Sequence, residues 1–213
     1  MKVLVFNGWA AGPETWRLTT FEHDWVFDYI EQLDGVPEKV MAETDAALLV
    51  GFSMGGSSAL RMLLAFPEKI KGLVLVSATP RMMEERDESG KIVWKGLSER
   101  RLAALRLGTE MVFRDDPAPV YNLDQMARGL VYLRETDLRK PLLALARARD
   151  LSAVPVRIFQ SEKDGIVRPQ NADWLQSVFP QAEVTRVTGG EHVLPITVPE
   201  LIDAAVNEIK EES

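Results

Sequence analysis

The stretch Leu48-Leu49-Val50-Gly51-Phe52-Ser53-Met54-Gly55-Gly56-Ser57-Ser58-Ala59 leaves this chain few ways to fold. Its apolar start reads as a buried strand, its Gly-x-Ser-x-Gly core as a sharp turn, and its small-residue end as the opening of a helix. At Gly51 and Gly55 any side chain is expected to collide with the neighbouring strand and helix as the chain doubles back. Gly56 and Ala59 keep the first helical turns thin enough to pack on a sheet. Such a turn pushes Ser53 out of the backbone. Its hydroxyl then stands at the top of a sheet beside free backbone N–H donors, which is the geometry of a presented nucleophile.

The rest of the chain supplies a sheet for that turn. Val3–Phe6, Trp25–Tyr29, Ala46–Val50, Leu73–Val76, Val156–Phe159 and Glu183–Val187 read as strands. Gly55–Phe66 reads as a helix ended by Pro67, and Pro199–Ile209 as another, with Leu201, Ile202, Ala205, Val206 and Ile209 on one face. Short apolar strands separated by helices imply an α/β fold, a mostly parallel sheet flanked by helices. From Thr79 to Ala153 the pattern changes: no convincing strand, and helices opening at Gly96 or Ser98, at Asn122 with Gln125 three residues on, and at Asp137. An all-helical insertion of this length is expected to cap the strand ends and build the substrate pocket. The expected division is therefore 1–78 and 154–213 as core, with 79–153 as the helical cap.

Composition narrows the chemistry. Apolar residues at 46% and charged residues at 27% describe a globular chain of ordinary domain size. No apolar run approaches a membrane span, and Met1-Lys2 leads directly into a strand, so neither membrane insertion nor a secretory leader is expected and a cytoplasmic address fits. The absence of cysteine excludes thiol catalysis and zinc–thiolate sites, and two histidines make a poly-histidine metal site improbable. A net charge of −7 argues against nucleic acid as a partner.

A serine hydroxyl needs a base. Of the two candidates, His23 sits between Glu22 and Asp24, where a charged surface turn is expected. His192 lies in Thr188-Gly189-Gly190-Glu191-His192-Val193, a Gly-rich loop after the last strand, and is the expected base. Asp164, just past the strand Val156–Phe159, is the expected carboxylate that orients it, with Glu162 as the local rival and Asp150 a weaker one. Two N–H donors should receive the oxyanion: those of Met54, directly after the nucleophile, and Trp9, in the loop after the first strand. The chain order Ser53, Asp164, His192 completes the pattern.

Taken together, Asn7-Gly8-Trp9, Gly51–Gly55, Phe66-Pro67-Glu68-Lys69-Ile70 to Ala78, Lys163–Pro169 and Glu191-His192 resemble the α/β-hydrolase superfamily over nearly all of the chain outside the cap. Gly8-Trp9 and Ser77-Ala78-Thr79-Pro80 most resemble its biotin-synthesis esterases, which cleave the methyl ester of a pimeloyl group attached to acyl carrier protein. Asn7 stands where the family commonly has histidine, and Ser161 where glycine is frequent. The resemblance implies a carboxylic ester hydrolase that needs neither cofactor nor metal. A thioesterase, a carbon–carbon bond hydrolase or a general short-chain carboxylesterase would use the same groups, and a ligand-binding protein could keep the same fold. It also implies a small acyl ester substrate, delivered by acyl carrier protein. The cap is near neutral in an otherwise acidic chain, so Arg100, Arg101, Arg106, Arg128 and Arg134 are the candidate residues for substrate or partner.

Overall fold

The computed structural model describes residues 1–112 and 122–212, leaving aside the side chains of residues 13, 106–112 and 123. Its strands are β1 (Lys2–Phe6), β2 (Trp25–Phe27), β3 (Ala47–Phe52), β4 (Ile70–Val76), β5 (Glu85–Arg86), β6 (Ile92–Trp94), β7 (Val156–Ser161) and β8 (Glu183–Val187). The helices are α1 (Tyr29–Leu33), α2 (Val36–Ala42), α3 (Met54–Ala65), α4 (Glu99–Val112), α5 (Leu123–Glu135), α6 (Arg139–Ala148), α7 (Gln170–Val178), α8 (Leu194–Thr197) and α9 (Pro199–Glu212). Six strands form one sheet in the order β2-β1-β3-β4-β7-β8, every pair parallel.

Alternation along the strands builds a core on each face. Leu4, Phe6, Leu49, Leu73 and Leu75 point to the side covered by α3 and α7, where Leu60, Leu63, Leu175 and Val178 pack against them. Val3, Val5, Leu48, Val50, Val74 and Val76 point to the other, against Ile202, Ala205, Val206 and Ile209 of α9. Both faces being covered explains why these strands read as continuous apolar runs. Because β3 lies inside the sheet, the turn that follows it emerges near the middle of the strand ends.

The expected strands all occur, with shifted ends. The second stops at Phe27 because Asp28 caps α1, its carboxylate accepting from Ile30 and Glu31 N–H while Glu31 bonds back. Between β4 and β7 the expectation of a purely helical segment is corrected. A small antiparallel hairpin, β5–β6, precedes α4. Its turn is closed by Asp87, which accepts from Ser89 and Lys91 N–H, and by Gly90 at φ 83°. Strands of two and three residues are too short to show a period-two pattern, although Asp87-Glu88-Ser89-Gly90 is a legible turn. The helices match better. Ser98 accepts from Arg101 N–H at the start of α4, and Asn122 and Gln125 form the expected capping box on α5. Asp137 accepts from Arg139 N–H at the start of α6.

This segment packs onto the rest of the molecule through a third cluster, in which Met82, Met83, Leu97, Leu102, Met126, Leu130 and Leu133 meet Tyr29, Met54 and Val167. A polar knot fixes its base. Asp137 binds Arg81 at 2.8 Å and Arg139 at 2.7 Å, Arg139 also pairs with Glu85, and its guanidinium lies 4.8 Å over the Trp94 ring. Trp94 in turn meets Trp174 of α7 edge-on at 5.8 Å.

Candidate active site

Ser53 stands between β3 and α3 at φ 55°, ψ −117°, a left-handed conformation that a non-glycine residue holds only when its surroundings impose it. They do. Ser53 N–H donates to Val76 O at 2.9 Å, and Gly56 N–H to Ser53 O at 3.0 Å. A Cβ on Gly51 would come within 2.6 Å of Gly55 O, and one on Gly55 within 2.7 Å of Asn7 O while overlapping Phe6 O. The turn is thus wedged between the end of β1 and the start of α3, as the glycines imply.

His192 lies above it. Its Nε2 is 2.9 Å from Ser53 Oγ and its Nδ1 is 2.8 Å from Asp164 Oδ2. With a carboxylate facing Nδ1, that nitrogen carries the proton and donates, leaving Nε2 to accept from the serine hydroxyl. Asp164 is 2% exposed and fully engaged. Oδ1 accepts from Ile166 and Val167 N–H at 2.8 and 2.9 Å, and Oδ2 from His192 and from Gln160 Nε2 at 3.3 Å. The rivals stay outside: Glu162 is exposed, and so is Asp150, whose carboxyl is held below its usual range by the Ser152 hydroxyl. His23 is exposed and packs edge-on to Phe21 at 6.0 Å.

Three residues that sequence reasoning gave no role in holding this line turn out to do so. Ser77 Oγ donates to His192 O at 2.9 Å, Ser161 Oγ donates to Gly190 O, and Gln160 steadies Asp164. A signal existed for one of them. Ser161 replaces a common glycine, and its hydroxyl now accounts for the exchange by anchoring the histidine loop.

The loop after β1 comes up against the serine. A Cβ on Gly8 would lie 3.3 Å from Ser53 Cβ and 3.0 Å from the Phe52 ring. Among the described residues, the backbone N–H groups of Trp9 and Met54 donate no hydrogen bond, so both remain available to an acceptor. Asn7 serves behind them: its Oδ1 accepts from Trp16 Nε1 at 2.5 Å and its carbonyl from Gln32 Nε2 at 2.9 Å. The Trp9 indole donates to Met126 O of α5 at 3.0 Å, and a Cβ on Gly129 would lie 2.8 Å from that indole nitrogen.

Ser53 and His192 open into a cavity of about 850 Å³ whose wall is largely apolar, with Trp9, Phe52, Met82, Leu97, Leu133 and Ile166 contributing. Residues from both sides of the segment boundary line it. Of the five candidate arginines, Arg101 reaches this cavity. Arg128 pairs with Asp34 at 2.5 Å and Arg134 with Glu99 at 3.1 Å, Arg100 is exposed on α4, and the Arg106 side chain lies outside the described residues. Among the described residues no group of three or more histidine, aspartate or glutamate side chains is arranged to hold a metal, and no helix is long and apolar enough to cross a membrane.

A buried carboxylate, an imidazole and a serine hydroxyl in one hydrogen-bonded line, at the strand ends of a parallel sheet, can activate the hydroxyl for attack on an electrophilic carbon. Sheet and site together define an α/β hydrolase. The chain belongs to the Alpha/beta hydrolase family, which it matches over residues 4–205. Among proteins of assigned function it is 24% identical over 249 residues to the pimeloyl-[acyl-carrier protein] methyl ester esterase of Edwardsiella ictaluri, covering 97% of this chain and 92% of that one. Among solved structures, an esterase from Exiguobacterium antarcticum superposes with a TM-score of 0.69 at 17% identity, covering 99% of this chain and 92% of the other. An enol-lactonase from Burkholderia xenovorans does so at 0.70 and 16%, covering 99% and 91%. These structural likenesses establish the fold.

Proposed function

We propose that this protein is a serine hydrolase of carboxylic esters, with Ser53 as nucleophile, His192 as general base and acid, and Asp164 as its orienting carboxylate. The observation that carries this reading is His192, bridging Ser53 Oγ at 2.9 Å and Asp164 Oδ2 at 2.8 Å at the wall of an apolar cavity. Ser53 Oγ attacks the ester carbonyl as its proton passes to Nε2. The N–H groups of Trp9 and Met54 receive the oxyanion. Collapse of the tetrahedral intermediate expels the alcohol, which takes the proton from His192. Water then enters, gives a proton to Nε2 and attacks the acyl-enzyme, and a second collapse releases the acid and restores Ser53. Residues 79–153 act as the cap that closes this chemistry from above.

The finer reading is a methyl ester of a pimeloyl chain on acyl carrier protein, hydrolysed in the cytoplasm. It is supported by the name of the Edwardsiella relative and by a cap less acidic than the body. The test begins with a p-nitrophenyl acyl ester and a phosphonate probe. The wild-type protein is expected to release p-nitrophenol and take up one label. Ser53→Ala should fold normally and lose hydrolysis by several orders of magnitude, roughly the effect of removing such a nucleophile elsewhere. Ordinary turnover in that variant rules out the mechanism. For the finer reading, carrier-bound methyl pimeloyl ester should have a higher kcat/KM than a free short-chain methyl ester, an advantage that salt erodes. Equal rates would leave a general carboxylesterase.

A further inference from the structure

Among the described residues the cavity wall holds two ionisable side chains besides His192, and they are not equivalent. Glu14 is committed to the loop after β1: its carboxylate accepts from Gly12 N–H at 3.2 Å and occupies the space where a Cβ on Gly12 would stand. Arg101 is uncommitted. Its guanidinium has no carboxylate and no hydrogen-bond acceptor among the described residues, whereas Arg81, Arg128, Arg134 and Arg139 each have a carboxylate partner. Nor does its helix call for it. Arg101 lies in the first turn of α4, where the positive end of the helix disfavours a cation. It is directed instead to the cavity beside Gly165, with Nη2 3.8 Å from where a Cβ on that glycine would be.

Sheet order sets the polarity of the cavity. The Glu14 loop follows β1, Ser53 follows β3, and Gly165 follows β7, with β4 between β3 and β7. At the usual strand spacing, the β7 loop stands about 10 Å from the serine's strand, on the side away from Glu14. An exposed cation with no carboxylate partner among the described residues at one side of an apolar cavity, and a carboxylate at the other, favour a ligand with an apolar middle and an anionic end.

We infer that Arg101 is a specificity-determining residue that pairs with an anionic group on the acyl portion of the substrate, remote from the ester. This rests on the proposed function, in which a methyl leaving group can carry no charge. The shared chemistry is an oxyanion. Its source is either the free carboxylate of a dicarboxylic half-ester or the phosphodiester of a carrier arm.

Binding to the Ser53→Ala protein tests this without turnover. By calorimetry, monomethyl pimelate should bind about tenfold more tightly than methyl heptanoate, the scale of one charge-assisted hydrogen-bonded pair. Arg101→Gln in the same background should abolish that ratio, Arg101→Lys should restore much of it, and salt should diminish it. Carrier-bound methyl pimeloyl ester forms the second arm. Loss of affinity on Arg101→Gln confined to the half-ester assigns the carboxylate, and loss confined to the carrier-bound ester assigns the phosphodiester. If Arg101→Gln changes neither ligand, the inference is overturned. If both arms respond to Arg101 but the wild-type protein hydrolyses no ester, the proposed function fails while the anion subsite stands.

Discussion

The hydroxyl of Ser77 donates to the main-chain carbonyl of His192 across 2.9 Å, although the two residues are 115 positions apart in the chain. Ser77 follows β4 in a left-handed conformation, φ 46°, and Ser161 at the end of the adjacent β7 grips Gly190 in the same way. Two hydroxyls at neighbouring strand ends therefore hold the Gly-rich histidine loop by two of its carbonyls. The position of the imidazole over Ser53 is set by the sheet as well as by Asp164.

Removing one of these hydroxyls should loosen His192 without removing it. Ser77→Ala is expected to lower kcat about tenfold with little change in KM, because a hydrogen bond of this kind contributes roughly 1 kcal/mol and the loss falls on alignment. Ser161→Ala should act alike, and the double variant should be non-additive since both anchor one loop. Steady-state kinetics with thermal melts separate this from general destabilisation. Unchanged kcat in both variants would show the loop to be held by other means.

Asp164 and Glu162 should separate sharply. Asp164→Asn is expected to reduce kcat by about 10³–10⁴-fold, because the amide favours the wrong imidazole tautomer, while Glu162→Gln stays within about twofold. Hydrolysis should also fall toward acid, since an imidazole protonated at both nitrogens cannot accept from Ser53. A damaging Glu162→Gln with a harmless Asp164→Asn would reassign the carboxylate.

The knot at Asp137 predicts an acid-sensitive component of stability. Burial pushes its carboxyl up, but hydrogen bonds from the Arg139 side chain and backbone, that residue's charge and the Arg81 guanidinium outweigh it and hold the group at about 2. The folded value lies below the unfolded one near ~3.9, so the stabilisation is complete above that pH and is lost as pH falls toward about 2. With the Asp137 side chain 29% exposed and its partners partly solvated, Asp137→Asn should cost roughly 1 kcal/mol at neutral pH. Urea melts should find the wild-type and variant proteins converging as pH approaches 2. A constant difference across that window would place its origin in packing.

Gly55→Ala tests the wedge beneath Ser53. Its Cβ would overlap the Phe6 carbonyl, which is backbone of a central strand and cannot swing aside. Destabilisation of about 1–3 kcal/mol or more is expected, by chemical denaturation, together with loss of hydrolysis. A stable, active variant would show that the turn can relax.

Much of this was legible in the sequence because it rests on local sterics. Gly51, Ser53 and Gly55 mark a strand-to-helix turn because an apolar run precedes them and small residues follow, and the runs through Leu48–Val50 and Leu73–Val76 are apolar because both faces of the sheet are covered. Capping at Asn122 is equally local. What stayed hidden depends on distant partners. Nothing around Ser77 announces His192, Gln160 reads as an ordinary strand residue until Asp164 folds back beside it, and Arg101 looks like Arg134 until one meets a cavity and the other Glu99. The β5–β6 hairpin escaped for another reason: its strands are shorter than the pattern that would reveal them.

The indole of Trp9 reaches up to Met126 on α5, while the main chain of the same residue presents the N–H proposed for the oxyanion. Gly129, one turn further along α5, is small because the indole occupies the room its side chain would need. Helix α5 and the loop beside Ser53 thus share a single residue. Any displacement of α5 pulls on the loop whose N–H is proposed for the oxyanion. A side chain placed at Gly129 would therefore be felt beside Ser53, because the indole it would crowd and the main-chain N–H next to the serine belong to one residue.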